Sequence, residues 1–445
     1  MDSQRMNDES AELYSVVVVG AGLSGLMAAH HLHSHGVSVL VLESAGRIGG
    51  RVLAESTPFG STIDLGGQWI GFDHHRVMEL ADVLGAKQYQ MHSDSLPGIV
   101  DQGQVKKVMS VSVLPAAFAF AGMELLSVTG TPRKWNKFSV DALLRKIPGG
   151  FSRRLVEVAT TISSTADLSR YSVQALTKML RQQGGLRTIM ATKGGAQDSL
   201  LVEGIGSLTA ALAQELGPRV LTGNKVISIS RDAEGATVQT GSRTFRAAKV
   251  IVTVPPPVAG RIQHHPPLPV DRASLERTTY MGSVYKAIAV YDQPFWRNRG
   301  RGDLFILDAP GRAVFDTSAP DGPGHLCTLV GGPEARSLDS LSPEQRRRTL
   351  LGPLMQHLGP EIMAPSSWHE KSWHLDENVG GGYIALPQPG TTEGFLPMSS
   401  VPVGPLHWAG SETAREHPGY LDGAIESGVR AADEVMAALA HSPVT

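Results

Sequence analysis

A short β-branched run that ends in a spaced glycine turn constrains this chain most. Residues 16–19, all valine, lead directly into Gly20-x-Gly22-x-x-Gly25. Such a run reads as a buried parallel strand. The first glycine permits a tight turn, the second lets backbone approach a pyrophosphate, and the third lets a helix close onto the strand. The helix that follows presents the unpaired N–H groups of its N-terminus to that diphosphate. Helical spacing through Leu26, Ala29 and Leu32 gives way at Gly36 to a second strand, residues 37–42. It ends at Glu43, 21 residues after Gly22, where a carboxylate can accept hydrogen bonds from an adenosine ribose. Strand, glycines, helix, strand and terminal acid in register specify a dinucleotide-binding βαβ unit.

Composition narrows the class. A chain of 445 residues exceeds one small core and predicts two domains. Lys+Arg 40 against Asp+Glu 42 leaves no field for nucleic acid, which is excluded as a partner. Cys327 is the only cysteine, so an intrachain disulfide and a Cys-based metal site are impossible, and no metal is expected. The polar N-terminal sequence carries no apolar targeting segment, and no uninterrupted run reaches the length of a membrane span. The most apolar stretch, residues 111–128, contains Pro115 and Glu124 and reads as a buried or surface-docked helix. A cytoplasmic protein without a membrane anchor is the expectation.

A second glycine-rich region follows the first closely: Arg47-Ile48-Gly49-Gly50-Arg51, then Asp64-Leu65-Gly66-Gly67-Gln68-Trp69-Ile70-Gly71. Paired glycines let backbone lie flat against a bulky planar ligand, and arginine supplies charge for phosphate. With these segments the chain resembles the flavin-containing amine oxidases over nearly its whole length. The resemblance continues through GGAQDSLLVEGIGSLTAALAQELGPRVLTGNKVISI, VIVTVPPPVAGRIQHHPPLP and LHWAGSETAREHPGYLDGAIESGVRAA, in the family's order. It implies an α/β fold: a Rossmann-like FAD-binding domain assembled from residues 1–83, 199–270 and 376–445, and an α+β substrate-binding domain from 84–198 and 271–375. The first insert reads as helical in SRRLVEVATTISS and SVQALTKMLRQQGG, the second as strands in VYKAIAVYD and HLCTLVGG.

The resemblance also implies roles. Cofactor contacts fall to Gly20, Gly22, Ser24, Gly25, Glu43, Gly50, Arg51, Gly67, Gln68, Trp69, Val226, Trp373, Gly410, Ser411 and Leu421. Lys286, on an alternating strand, holds a water near the flavin and assists reoxidation by O2. Tyr383 and Tyr420 flank the substrate amine, and Gln197 touches it. The implied reaction is FAD-dependent oxidation of a primary or secondary amine to an imine and then an aldehyde, with O2 reduced to hydrogen peroxide. An amine dehydrogenase, a polyamine or L-amino-acid oxidase and a desaturase-like flavoprotein are the alternatives on the same scaffold. Partners are then a small-molecule amine and O2, with a homodimer as the assembly considered.

Departures from the family matter too. Ala45 stands where an arginine is usual, which leaves Arg47 or Arg51 to replace it. Gly382 precedes Tyr383 where membrane-bound animal enzymes carry the cysteine that bonds the flavin, so FAD is expected to be noncovalent. Phe72-Asp73-His74-His75 replaces the family's usual turn and reads as a surface pair of histidines. His30, His31, His33 and His35 spread around the first helix rather than forming a metal site. His374 and His417 fall either in the pocket or in solvent. Arg346-Arg347-Arg348, after a helix start at SPEQ, reads as a solvated face. The region after the second glycine pair, Gln68-Trp69, lacks the arginine that holds a substrate carboxylate in amino-acid oxidases, which favours aromatic or short alkyl monoamines.

Overall fold

Val16, Val17 and Val18 are sealed from solvent because their strand, Glu12–Val19, is paired in parallel along both edges. Thr244–Val252 lies on one side and Val39–Leu42 on the other. The computed structural model describes residues 12–92, 97–106, 110–299 and 302–441, so residues 1–11 of the polar opening stretch lie outside the described residues. The first sheet has eight strands, in the order Gln263–His265, Val226–Arg231, Ala236–Thr240, Thr244–Val252, Glu12–Val19, Val39–Leu42 and Val220–Leu221. The eighth, Leu406–Trp408, runs parallel to the second half of Thr244–Val252, whose first half pairs antiparallel with Ala236–Thr240. The second strand thus starts at Val39, two residues later than the sequence suggests.

The glycine turn does what its spacing demands. Gly20 has φ +105°, and a Cβ on Gly25 would stand 2.0 Å from the Gly20 carbonyl oxygen. The helix Leu23–Ser34 therefore lies hard against the strand it follows. Its outer side meets the C-terminal helix Leu421–Ala440, with the hydroxyls of Ser24 and Ser427 3.1 Å apart. The helix histidines are tethers: His30 reaches Glu215 and His31 reaches Asp433, each at 2.8 Å.

The second sheet has seven strands: Ser367–Ser372, Val284–Tyr291, Gly324–Gly331, Arg312–Asp316, Leu304–Ile306, Gly98–Asp101 and Gln104–Lys106. The helices Gly150–Ser164 and Val173–Gln182 form where the periodicity places them. Their apolar residues, among them Val156, Ile162 and Leu180, share one core with Ile288, Cys327 and Leu329 of the sheet. Val284–Tyr291 is buried at all eight positions. Its expected alternation therefore does not divide core from solvent, since both of its faces are covered.

The apolar stretch takes the surface-docked form of its expectation, whereas the arginine run needs correction. The apolar stretch forms a 3-10 turn, Val111–Val113, and the helix Leu114–Thr129, which buries one edge and leaves Val111, Leu114, Phe118, Leu125 and Val128 largely in solvent. The helix after SPEQ, Pro343–Leu351, starts with the Ser342–Gln345 capping box. Arg346, however, is not part of a solvated face. It binds the Glu370 carboxylate, which also accepts the Tyr285 hydroxyl, because the neighbouring strand brings that acid beneath the helix.

Candidate active site

One cavity is lined by residues from both sheets and from the helices between them. Gly20, Gly22, Ser24 and Glu43 reach it from the first βαβ unit, and Lys286, Phe315 and Leu329 from the second sheet. Gly50, Arg51, Gly67, Gln68, Trp69, Trp373, Gly410, Ser411 and Leu421 also line it, together with Gln197, Tyr383 and Tyr420. Two nominated residues do not. Gly25 is used up in packing helix on strand, and Val226 is buried in the core of the first sheet beside Ile229 and Val238.

The nucleotide part of the cavity fits a flavin dinucleotide. The helix Leu23–Ser34 begins at Gly22 without a side-chain cap, so its first N–H groups are free for an anion. A Cβ on Gly22 would have only the Gly49 oxygen, 3.9 Å away, within reach, which is room for a ligand rather than for protein. Glu43 accepts the N–H of Ala21 on one oxygen and that of Ala45 on the other, each at 2.8 Å. The Ser44 hydroxyl also donates to the second oxygen, at 3.3 Å, so the oxygen that accepts Ala21 is the one that keeps a lone pair for a ribose hydroxyl.

Arg47 and Arg51 line the cavity, but neither guanidinium is idle. Arg47 donates to the carbonyls of Ile48, Gly50 and Val52 and lies over the Trp373 ring. Arg51 grips the Glu412 carboxylate with both terminal nitrogens, at 2.7 and 2.9 Å, and donates to the Tyr383 carbonyl at 2.7 Å. Glu412, which the sequence reading passed over, is almost fully buried. Burial pushes its pKa up, but Arg51 and the N–H of Ala385 outweigh that and hold it below the ordinary carboxylate range. Both arginines that could take over from Ala45 thus line the cavity with three of their five donors already spent on protein.

Lys286 does not snorkel; it is 3% exposed. Its Nζ donates to the Gly66 carbonyl at 2.8 Å and to Gln68 Oε1 at 2.6 Å, which leaves a third donor position for a water. Burial lowers its pKa, opposed by Cys327 and Asp64. Asp64 receives the N–H groups of Ile205 and Gly206 at the start of the helix Gly206–Leu216. Burial raises its pKa to about 6, against those N–H groups and Lys286. Trp373 is fixed by donating to the Leu65 carbonyl at 2.8 Å, and Trp69 meets Phe315 edge-on at 5.2 Å.

Of the two histidines after GGQWIG, His75 is exposed as expected, but His74 is not a surface residue. His74 is 2% exposed, and its Nδ1 accepts the Gly71 N–H at 2.9 Å. Its ring lies 4.9 Å from the Tyr420 ring and 4.7 Å from that of His417. The donor atoms of Asp73, His74 and His417 lie within 4.8 Å of one another. Burial first, then His417, lower the His74 pKa to about 4, against the pull of Asp422 and Asp73. His417 itself and His374, which binds Asp339 at 2.6 Å, are not among the lining residues. Nothing in the local spacing reveals that His74 backs Tyr420, since the two are brought together only by the fold.

The comparisons agree with this geometry. A model of the family described as flavin containing amine oxidoreductase matches residues 23–436. A probable flavin-containing monoamine oxidase A of Dictyostelium discoideum is 31% identical over 97% of this chain and 99% of its own length. An L-amino acid dehydrogenase of Synechocystis sp. is 30% identical over 95% of each chain. Among solved structures, the cyclohexylamine oxidase from Brevibacterium oxydans superposes with a TM-score of 0.91 at 28% identity, over 96% of this chain and 100% of that one.

Two predictions arise here. Glu412→Ala leaves Arg51 with an unmatched charge in a largely buried site, and the expected loss is about 3–5 kcal/mol in urea unfolding, with faster release of FAD. A loss below about 1 kcal/mol would remove the pair from its organising role. His74 has a folded-state pKa below its unfolded value, so its contribution is present above about 6.5 and is lost as pH falls towards 4. The expected cost is on the order of 3 kcal/mol across that interval. Unfolding free energies of the wild type and His74→Gln between pH 4 and 7 check it, and parallel curves would contradict the assignment.

Proposed function

Because this chain belongs to the flavin-containing amine oxidoreductase family and is therefore an FAD-dependent amine oxidase, we propose that its substrate is a monoamine with an apolar body and no carboxylate. The cavity wall carries the proposal. Ile162, Ile189, Phe305, Phe315 and Leu329 line it, while the lining arginines are held by Glu412 and by backbone carbonyls. Among the described residues of the wall, both guanidiniums are already engaged with protein acceptors, which disfavours either as a clasp for a substrate carboxylate. A diamine is the second reading, since Asp303 also lines the cavity.

FAD, when bound, supplies two-electron oxidation at the carbon next to the amine nitrogen and passes the electrons to O2, which leaves as hydrogen peroxide. The residues prepare the substrate. Burial raises the pKa of both Tyr383 and Tyr420, so both phenols stay neutral and present uncharged walls to the amine. An alkylamine with a pKa near 10 must lose its proton first, which costs about 4 kcal/mol at pH 7. A desolvating slot lowers that pKa and offsets part of the cost, so no side-chain base is required. Lys286, oriented by Gly66 and Gln68, holds a water at the site of reoxidation. The division into a cofactor-binding part, residues 1–83, 199–270 and 376–445, and a substrate-binding part, 84–198 and 271–375, belongs to the same proposal. So does noncovalent FAD, which is supported by the position of Cys327: buried on its strand and not part of the cavity wall.

Anaerobic titration of the yellow protein with benzylamine, followed by air, tests the reading. Bleaching of the flavin band and rapid recovery with peroxide is the expected result. Turnover of benzylamine should exceed that of putrescine and of L-phenylalanine by at least about tenfold in kcat/KM. Rapid bleaching with slow recovery in air would assign a dehydrogenase instead, and bleaching by the amino acid alone would overturn the monoamine assignment. In Lys286→Met, FAD should stay bound while recovery in air slows at least about tenfold; unchanged recovery would remove the lysine from the oxygen step.

A further inference from the structure

The segment Val111–Thr129 is long and apolar enough to cross a membrane, yet it lies along the surface, packed on one side against the helices Gly150–Ser164, Val173–Gln182 and Gly185–Met190. Its exposed positions are Val111, Leu114, Ala117, Phe118, Ala121, Leu125 and Val128, apart from Ser112 and Thr129 at the two ends. These apolar positions recur at three- and four-residue spacing and form one stripe on one face. The polar groups of the helix are turned inward or used up locally. Glu124 accepts the Leu186 N–H at 2.8 Å, the Ser127 hydroxyl donates to the Glu124 carbonyl, and that of Thr129 to the Leu125 carbonyl. Between its ends the face offers water nothing to bind, which is the condition for entering lipid without an unsatisfied polar group.

Charge selects the occupant. The helix is followed closely by Arg133, Lys134 and Lys137, all exposed, in a protein whose net charge is −2. A second copy of the chain would bring the same cations with it and leave them unneutralised. An anionic phospholipid surface complements both the stripe and its basic flank. We propose that this face docks the enzyme onto an anionic bilayer as a peripheral, interfacial helix. A cytoplasmic location would set it against the leaflet that carries such lipids. The Gly185–Met190 helix, which contributes Ile189 and Met190 to the cavity wall, lies directly behind the docked helix. Substrate amines with apolar bodies, which partition into lipid, would thus be concentrated next to the site.

Flotation of the full-length holoenzyme with phosphatidylcholine vesicles, with and without 30% phosphatidylglycerol (about 1 mM lipid), tests the proposal. The holoenzyme should float with the anionic vesicles and not with the neutral ones, and 0.5 M NaCl should release most of it. The Phe118→Ser/Leu125→Ser variant should bind at least about tenfold more weakly. Arg133→Glu/Lys134→Glu should lose about fivefold or more for each charge reversed. Both variants should retain bound FAD with the wild-type flavin absorbance in vesicle-free buffer, which shows that they fold. Failure of the wild type to float would overturn the proposal, as would binding that the variants leave unchanged. A wild-type dimer that becomes monomeric in Phe118→Ser/Leu125→Ser would overturn it as well, by assigning the stripe to a second copy. None of these readings depends on which amine is oxidised.

Discussion

The ion pair between Arg51 and Glu412 holds the site together. It joins residues more than 350 positions apart in sequence, with both guanidinium nitrogens on both carboxylate oxygens. The same arginine fixes the Tyr383 carbonyl, and the same glutamate receives the Ala385 N–H and the Ser411 hydroxyl. The second glycine segment, the strand that carries Tyr383 and the loop before the C-terminal helix are thus locked in one arrangement. Burying two charges is costly, and such pairs contribute little net stability even when well matched. The role that remains is specificity, because any other placement of these three segments leaves a buried charge without its partner.

The second organising feature is the stretch from Asp64 to Trp69, where consecutive residues each bind a different part of the fold. Asp64 holds the start of the helix Gly206–Leu216, and the Leu65 carbonyl takes the Trp373 indole. The Gly66 carbonyl and the Gln68 side chain share the Lys286 ammonium. Gly67 N–H binds the Arg51 carbonyl, and Trp69 reaches the second sheet through Phe315. A lysine from one sheet is thereby fastened to a loop that belongs with the other. Burial lowers the pKa of that lysine and raises that of Asp64, so the two sheets meet around groups whose charge is set by their seclusion.

The surface follows a different logic from the site. The cavity wall keeps unspent polar groups for its ligands, such as the third Lys286 donor, whereas the outer face of Leu114–Thr129 is almost free of polar atoms and exposed. Its few polar side chains serve the interior, with Glu124 closing the next helix. The two surfaces lie on opposite sides of a thin helical layer. This proximity makes an apolar exterior relevant to an apolar substrate.

Local chemistry fixed what the sequence could reveal. The valine run, the spaced glycines and Glu43 specify a nucleotide-binding turn because those constraints act between residues a few positions apart. The ordered matches further along the chain then identify the family, and with it Lys286, Tyr383 and Tyr420. Tertiary structure alone decided which neighbours those residues acquired. His74 looks like a surface histidine until the fold places it behind Tyr420. Glu412 looks like one acid among many until Arg51 is brought to it, and Arg346 looks solvated until Glu370 is drawn beneath it. Val226 fits the family's order yet faces the core, since which side of a strand is covered depends on what packs there. Burial and pairing are properties of contacts between distant segments, and no local spacing encodes them.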